Sequence, residues 1–483
     1  MSPSSIEKIG TDLYLGGSWV PSRDGSRFDV TDPATGEVLA SVASGAEEDA
    51  TAAVAAADAA AASWRSTPPR ERGEILRRSF EAMIERRDEI AEVIVLESGK
   101  SWGDSIGEVT YAAEFFRWYA EEAVRAEGSL LTAPGGDKRI LSVREPVGVS
   151  VLVTPWNFPA AMGTRKIGPA LAAGCTVILK PASDTPLTAL LLAQLMADAG
   201  VPDGVVSVLP SRRSGATVGT MLKDPRVRKL SFTGSTEVGR ILLEQAAGQI
   251  INCSMELGGN APFVVFGDAD LDAAVEGAMI AKMRNGGESC IAANRFLVEA
   301  TVADEFSAKL ADAMRSLRLG PGIERENDVG PVINEAARDE IAGLVDASVS
   351  SGAKVLAGGR APARPGWFYE PTVLSRVDRE DDLLDHEIFG PVAPVVSFES
   401  EDDAIELANN TEFGLAAYVY AGDLGRGLRV GEAIEAGIIG INRGFVSDPA
   451  APFGGMKQSG LGREGAHDGL LEFLETKYLA AEW

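Results

Sequence analysis

The chain is poor in cysteine and poorer still in histidine. Cys175, Cys253 and Cys290 are its only cysteines in 483 residues; they form neither an even set nor a CxxC pair, so a disulfide framework and a cysteine-held zinc both lack support. His386 and His467 are the only histidines. No metal site is therefore expected, and a cysteine hydrolase would lack a histidine partner in a convincing context. Basic charge is scarce as well: 45 Lys and Arg against 71 Asp and Glu leave a formal charge of −26. Such a field repels nucleic-acid phosphates and anionic lipid heads. No apolar run is long enough to span a membrane, and residues 1–11 lack the basic and apolar regions of a secretory signal. The expectation is a cytoplasmic protein with no nucleic-acid or membrane partner.

What remains is ordinary globular composition, 45% hydrophobic and 24% charged, at a length that predicts two or three packed units. Residues 49–63 and 70–97 read as amphipathic helices of the scaffold. Between 129 and 146, two strand-like runs flank the turn signal Pro134-Gly135-Gly136-Asp137, which predicts a projecting hairpin with an edge suited to oligomerisation. From 147 the pattern alternates: an apolar run to 153, a helix over 164–173, a run at 176–179, a helix over 187–199 and a run at 205–209. That is the rhythm of a parallel α/β sheet. A second alternation runs from 261 to about 430, with Gly and Pro clusters at 320–322, 358–366 and 390–394.

Cys290 stands apart from the other two cysteines. It ends Asn285-Gly286-Gly287-Glu288-Ser289-Cys290, where glycine and polar residues replace the apolar neighbours of a packed thiol, whereas Cys175 and Cys253 sit in core-like contexts. A nucleophilic thiol requires access and a nearby base, and a glycine-rich loop can offer it backbone N–H groups. Glu256, in Met255-Glu256-Leu257-Gly258-Gly259-Asn260, is a carboxylate among apolar residues; burial would raise it toward general-base values, and a buried ion-pair partner is the alternative. Asn157, in Thr154-Pro155-Trp156-Asn157-Phe158-Pro159, follows a strand-like run where α/β sheets place ligands; it is either an oxyanion donor or a turn residue. Two glycine patterns compete for a phosphate. Gly460-Leu461-Gly462-Arg463-Glu464-Gly465 satisfies GxGxxG but lies too near the C-terminus to open a βαβ unit. Gly234-Ser235-Thr236-Glu237-Val238-Gly239 follows a strand-like run and precedes a helix, so its amides can face a pyrophosphate.

These segments, with Lys180-Pro181-Ala182-Ser183, Phe232-Thr233-Gly234-Ser235-Thr236, Glu387-Ile388-Phe389-Gly390-Pro391 and Pro452-Phe453-Gly454-Gly455, occur in an order and spacing that resembles the aldehyde dehydrogenase superfamily over nearly the whole chain. The resemblance implies an α/β fold with a Rossmann-type cofactor domain (1–126 and 147–256), an oligomerisation hairpin (127–146), a second α/β catalytic domain (257–445) and a C-terminal segment with an oligomerisation strand (446–483). Homodimers or homotetramers would follow. It also implies a mechanism in which Cys290 attacks an aldehyde, Asn157 and the Cys290 N–H hold the oxyanion, hydride leaves for a nicotinamide, and Glu256 activates water against the thioester. Thr154, Pro155, Trp156, Lys180, Ser183, Gly234, Ser235, Gly239, Leu257, Glu387 and Phe389 carry over as cofactor contacts, Glu387 on the nicotinamide ribose and Phe389 beside the ring.

Within the superfamily the chain is similar to the succinate-semialdehyde dehydrogenase group through Arg165, Arg284, Ser447 and Gly462-Arg463-Glu464-Gly465. The resemblance implies that the two arginines and the serine clamp a substrate carboxylate, a task suited to planar bidentate donors; helix-surface or interface ion pairs are the alternative. Glutarate semialdehyde or an uncharged aldehyde remains open as substrate, with a non-catalytic cofactor-binding protein a remote alternative. A coenzyme A-acylating enzyme would not need Glu256. Two departures stand out. Glu288 replaces the family's usual glutamine, and if it points inward the Cys290 pKa should rise. Ile291 and Ala292 leave the loop without a partner cysteine, so no disulfide switch is expected there. For the cofactor, Lys180 and Ser183 stand where a 2′-phosphate would lie and favour NADP with NAD tolerated, although Asp184 is close; Arg212 and Arg213 are either further phosphate contacts or a solvated pair.

Overall fold

In the computed structural model, which describes residues 5–482, two largely parallel sheets meet end to end. The first has the strand order Ser18–Val20, Leu13–Leu15, Val206–Val208, Val177–Lys180, Val149–Val153, Val227–Thr233, Asn252–Glu256 and Gly460–Leu461. Its five central strands are parallel, and in chain order they lie third, second, first, fourth, fifth. This is the doubly wound arrangement, whose order reverses between Val149–Val153 and Val227–Thr233 and opens a crevice at the carboxyl ends. Val149–Val153 and Val177–Lys180 are buried throughout, as strands covered by helices on both faces must be, which explains why they read as apolar runs rather than alternating ones. Helices Pro159–Ala173 and Pro186–Asp198 cover them, each opening on a proline whose missing N–H is no loss in the first turn.

The second sheet has the order Lys354–Ala357, Thr372–Ser375, Val392–Phe398, Ala293–Glu299, Ala261–Val265, Ala416–Tyr420, Ile438–Ile441, parallel except for its first strand. Residues 257–260 connect Asn252–Glu256 to Ala261–Val265, so the carboxyl end of the first sheet faces the amino end of the second. The mixed α/β class and the Rossmann-type sheet expected from the sequence are both present. The hairpin is also where the turn signal placed it: Ser129–Thr132 pairs with Arg139–Pro146, and Leu474–Ala481 adds a third strand in register from Leu474 opposite Pro146 to Ala481 opposite Arg139. Leu130, Leu131, Tyr478 and Leu479 are exposed on this sheet.

Two readings of the N-terminal region need correction. The predicted helix over 70–97 is two, Pro69–Glu85 and Arg87–Ser98, separated at Arg86, whose backbone leaves the helical region (φ −101°, ψ 23°). A further helix, Trp102–Glu122, was not anticipated. Its N-cap Ser101 accepts from the Asp104 N–H at 3.2 Å, but its buried face carries Ser105, Glu108 and Glu122 beside Phe115, Phe116 and Tyr119. Buried polar residues break the apolar period by which a helix is recognised.

Candidate active site

Several chain segments reach the junction of the two sheets. Thr154 to Asn157 follow Val149–Val153; Lys180 ends its strand and Ser183 lies just beyond; Gly234 and Ser235 follow Val227–Thr233; Glu256 ends Asn252–Glu256. From the other side, Cys290 precedes Ala293–Glu299, and Glu387 and Phe389 precede Val392–Phe398. A cavity of about 450 Å³ lies between them, and all the residues assigned above to catalysis, cofactor or substrate line it, except Gly239. Gly239 lies inside helix Thr236–Ala247, where an added Cβ would come 2.5 Å from Leu257 Cδ2; it permits close packing behind Leu257 rather than forming the wall. Ser235 caps that helix by accepting from the Val238 N–H at 3.4 Å. The rejected Gly460 string forms an edge strand on Met255 and Glu256, far from any phosphate-binding geometry.

Behind Cys290 the chain makes a left-handed turn through Asn285 (φ 57°), Gly286 (φ 61°) and Gly287 (φ 83°). A Cβ on Gly287 would lie 2.2 Å from the Gly390 carbonyl oxygen, so no larger residue fits. Asn285 Nδ2 donates to the Asn157 carbonyl at 3.0 Å and to the Glu288 carbonyl at 2.8 Å, while Asn157 Nδ2 donates to the same Glu288 carbonyl at 3.1 Å. An amide nitrogen carries two hydrogens, so Asn157 retains one donor after this contact. Lys100 Nζ donates to the Asn157 carbonyl at 2.6 Å and pairs with Glu108 at 2.5 Å; Glu108 in turn accepts from the Ala160 and Ala161 amides. The Asn157 and Cys290 loops are thereby one hydrogen-bonded unit. Lys100, Glu108 and Asn285 escaped the sequence reading, because their partners are remote in the chain and no local pattern marks them.

The Cys290 thiol is raised well above its ordinary pKa by burial and by the neighbouring Glu256 carboxylate, with Arg165 opposing. Glu288 is not among the main causes of that rise. Its side chain is buried on the far side, Oε1 accepting from the Ile333 N–H at 3.0 Å, and burial lifts its pKa to about 8. The Glu288 carboxyl is thus engaged by Ile333, and Cys290 is raised chiefly by burial and Glu256. Glu256 is fully buried and lifted by burial to about 7, against the pull of Arg165. Arg165 Nη2 stands 3.9 Å from Glu256 Oε2, so its pull acts through space without a hydrogen bond.

The two arginines differ sharply. Arg165 is committed: its Nε lies 2.6 Å from Glu464 Oε2, its guanidinium stacks on Phe453 at 4.2 Å, and Lys166 also pairs with Glu464. Burial works against its charge, yet Glu464, Tyr111 and Glu256 hold it above its usual value. Arg284 donates to Ser447 Oγ at 2.8 Å and is surrounded by Phe445, Phe158 and Tyr111 at 5.0, 5.1 and 5.5 Å. Among the described residues none pairs a carboxylate with Arg284.

At the other end, Lys180 is buried and its Nζ has no hydrogen-bond partner among the described residues; burial lowers it to about 8, opposed by Asp184. Glu387 accepts from the Gly259 N–H at 3.1 Å and is raised to about 8 by burial. Lys282, buried near it and itself lowered to about 7 by burial, donates to the Ile388 carbonyl at 3.3 Å. Trp156 and Phe389 meet edge to face at 5.4 Å. Arg213 is drawn away to an ion pair with Asp24.

One cavity at the crevice of a doubly wound sheet thus holds a thiol, Cys290, and a buried carboxylate, Glu256. The chain belongs to the aldehyde dehydrogenase family, whose model matches residues 19–479. It is 55% identical to a succinate-semialdehyde dehydrogenase of Paenarthrobacter nicotinovorans over 92% of this chain and 98% of that one. It is 48% identical to a glutarate-semialdehyde dehydrogenase of Pseudomonas putida over 96% of each. A crystal structure of an Escherichia coli NADP dependent enzyme matches it with a TM-score of 0.97 at 47% identity, covering 100% of this chain and 99% of that one.

Proposed function

We propose that the protein oxidises succinate semialdehyde to succinate with NADP, tolerating NAD. The observation that carries the substrate class is Arg284: a cation at the cavity wall, hydrogen-bonded to Ser447 and pairing with no acid among the described residues. Arg284 is half-buried, so a substrate carboxylate would supply a counter-ion where solvent screens the charge only in part. Arg165, already neutralised by Glu464, lends orientation more than charge.

The nicotinamide cofactor, when bound, supplies a hydride acceptor, and Lys180, whose Nζ has no partner among the described residues, and the N-terminus of helix Thr236–Ala247 would hold its phosphates. The thiol of Cys290 loses its proton to solvent and the sulfur bonds to the aldehyde carbon. The remaining N–H of Asn157 and the Cys290 amide receive the oxyanion. After hydride has left that carbon, a thioester joins the acyl group to Cys290. Glu256 takes a proton from water, the hydroxide adds, and the acid departs as Glu256 passes that proton to the leaving sulfur, restoring the thiol. One aldehyde, one oxidised cofactor and one water give one carboxylic acid, one reduced cofactor and one proton. We assign the cofactor unit to 1–126 and 147–256, the catalytic unit to 257–445, and homo-oligomer contacts to 127–146 and 446–483, whose sheet exposes Leu130, Leu131 and Tyr478. The cytoplasm is the proposed location.

The P. putida relative favours glutarate semialdehyde as the second reading. Steady-state absorbance of reduced cofactor with succinate semialdehyde, glutarate semialdehyde and butanal separates the two. A kcat/KM for succinate semialdehyde at least tenfold above both others is expected; a higher value for either rival overturns the assignment.

A further inference from the structure

The cofactor crevice does not end at Ser183. A second cavity of about 270 Å³ shares the Ser183-Asp184 wall with the first, and Arg212 stands on its border. The loop that carries Arg212 is held on several sides. Ser211 Oγ donates to the Gly45 carbonyl at 2.7 Å and meets Thr217 Oγ1 at 2.9 Å, the Arg212 N–H donates to Ser44 Oγ at 3.2 Å, and Arg213 is anchored to Asp24. Arg212 itself is different. Its guanidinium lies over the Phe28 ring at 5.4 Å, and none of the described residues is paired with it as an acid.

We infer that Arg212 is a specificity-determining residue for the cofactor, reaching from this tethered loop to the 2′-phosphate that Lys180 and Ser183 approach from the other side. The inference rests on the proposed NADP preference and assigns part of its origin. The charges decide it. Lys180 alone faces Asp184, and one cation against one acid leaves little net attraction for a dianionic group. Asp29 also lines the second cavity, while burial pushes Glu97 up to about 8 and keeps it largely uncharged; Arg212 offsets the acid excess that would otherwise face the phosphate, and its planar fork can bind two phosphate oxygens at once. An NAD ribose, with two hydroxyls in that place, presents nothing for a guanidinium to pair with. Arg212 therefore acts on one cofactor and not on the other. Arg213, spent on Asp24, has no such part.

The test needs no turnover. Titration calorimetry measures the affinity of the full-length protein for NADP, NAD, 2′,5′-ADP and 5′-AMP, in wild type, Arg212→Ala and Arg212→Lys. The expected result is about a 5- to 20-fold weaker Kd for NADP and 2′,5′-ADP in Arg212→Ala, an effect between that of an exposed ion pair and a charged hydrogen bond. NAD and 5′-AMP should change less than about twofold, and Arg212→Lys should restore part of the loss. Unchanged NADP affinity in Arg212→Ala, or equal loss for all four ligands, overturns the assignment of Arg212. Wild type that binds 2′,5′-ADP no better than 5′-AMP overturns the NADP preference itself, and Arg212 with it.

Discussion

Replacing Arg284 with alanine should convert a semialdehyde enzyme into a poor general aldehyde oxidase without unfolding it. The guanidinium holds Ser447 Oγ at 2.8 Å inside a ring of Phe445, Phe158 and Tyr111, and none of the described acids forms an ion pair with it, so its removal strands one hydroxyl and no ion-pair partner. What is lost is the attraction for the substrate's carboxylate. Truncating one member of a desolvated, hydrogen-bonded charge pair costs about 2–4 kcal/mol, or roughly 30- to 1000-fold in kcat/KM. The loss should fall mainly on KM, because the carboxylate is held equally before and during the chemistry. The assay is reduced-cofactor absorbance with succinate semialdehyde and with butanal, wild type beside variant. Butanal should change less than about threefold, since it has no carboxylate to lose. An equal loss on both aldehydes, or none on the semialdehyde, would refute the clamp and return the substrate to the uncharged class.

Glu256→Gln should acylate and then stall: a rapid-mixing trace should show a burst of about one reduced cofactor per subunit, with steady turnover lowered by roughly 10²- to 10⁴-fold, and a normal steady rate would remove Glu256 as base. In the native protein the same group, lifted by burial to about 7, must be ionised to act, so kcat should rise with pH through about 7 and the limb should vanish in the variant. Glu288→Gln should raise the melting temperature at pH 8 while leaving the alkylation rate of Cys290 unchanged. Burial holds its folded pKa near 8 against an ordinary 4.5, so the unfolded chain releases that proton first and stability falls as pH rises between the two values; the gap between variant and native should close as pH approaches 4.5, and a faster-reacting thiol would show that the carboxylate does face the sulfur. Gly287→Ala should abolish turnover yet spare cofactor affinity, since its Cβ would meet the Gly390 carbonyl at 2.2 Å and displace only the nucleophile loop; full activity in a steady-state assay would contradict that geometry.

Much of this was legible without coordinates because it is local. The buried strands of the first sheet showed as apolar runs, the hairpin as a Pro-Gly-Gly turn, and Cys290 as a thiol in a glycine loop unlike Cys175 or Cys253. The helix Trp102–Glu122 was not legible, since Glu108 and Ser105 occupy its buried face and hide its period. Nor was the break at Arg86, where flanking residues are all good helix formers and only packing selects two helices over one.

The sequence by itself determined which chemical groups the protein owns, and where along the chain strands end and loops begin, for these depend on composition and near neighbours. Tertiary structure decided what each group is free to do. Glu464, 299 residues beyond Arg165, neutralises one arginine and leaves Arg284 for a ligand; Ile333 takes the Glu288 carboxyl away from the thiol; Lys100 and Asn285 tie the Asn157 and Cys290 loops together. Charge pairing and desolvation act through space at a few ångströms, and only the folded chain sets those distances.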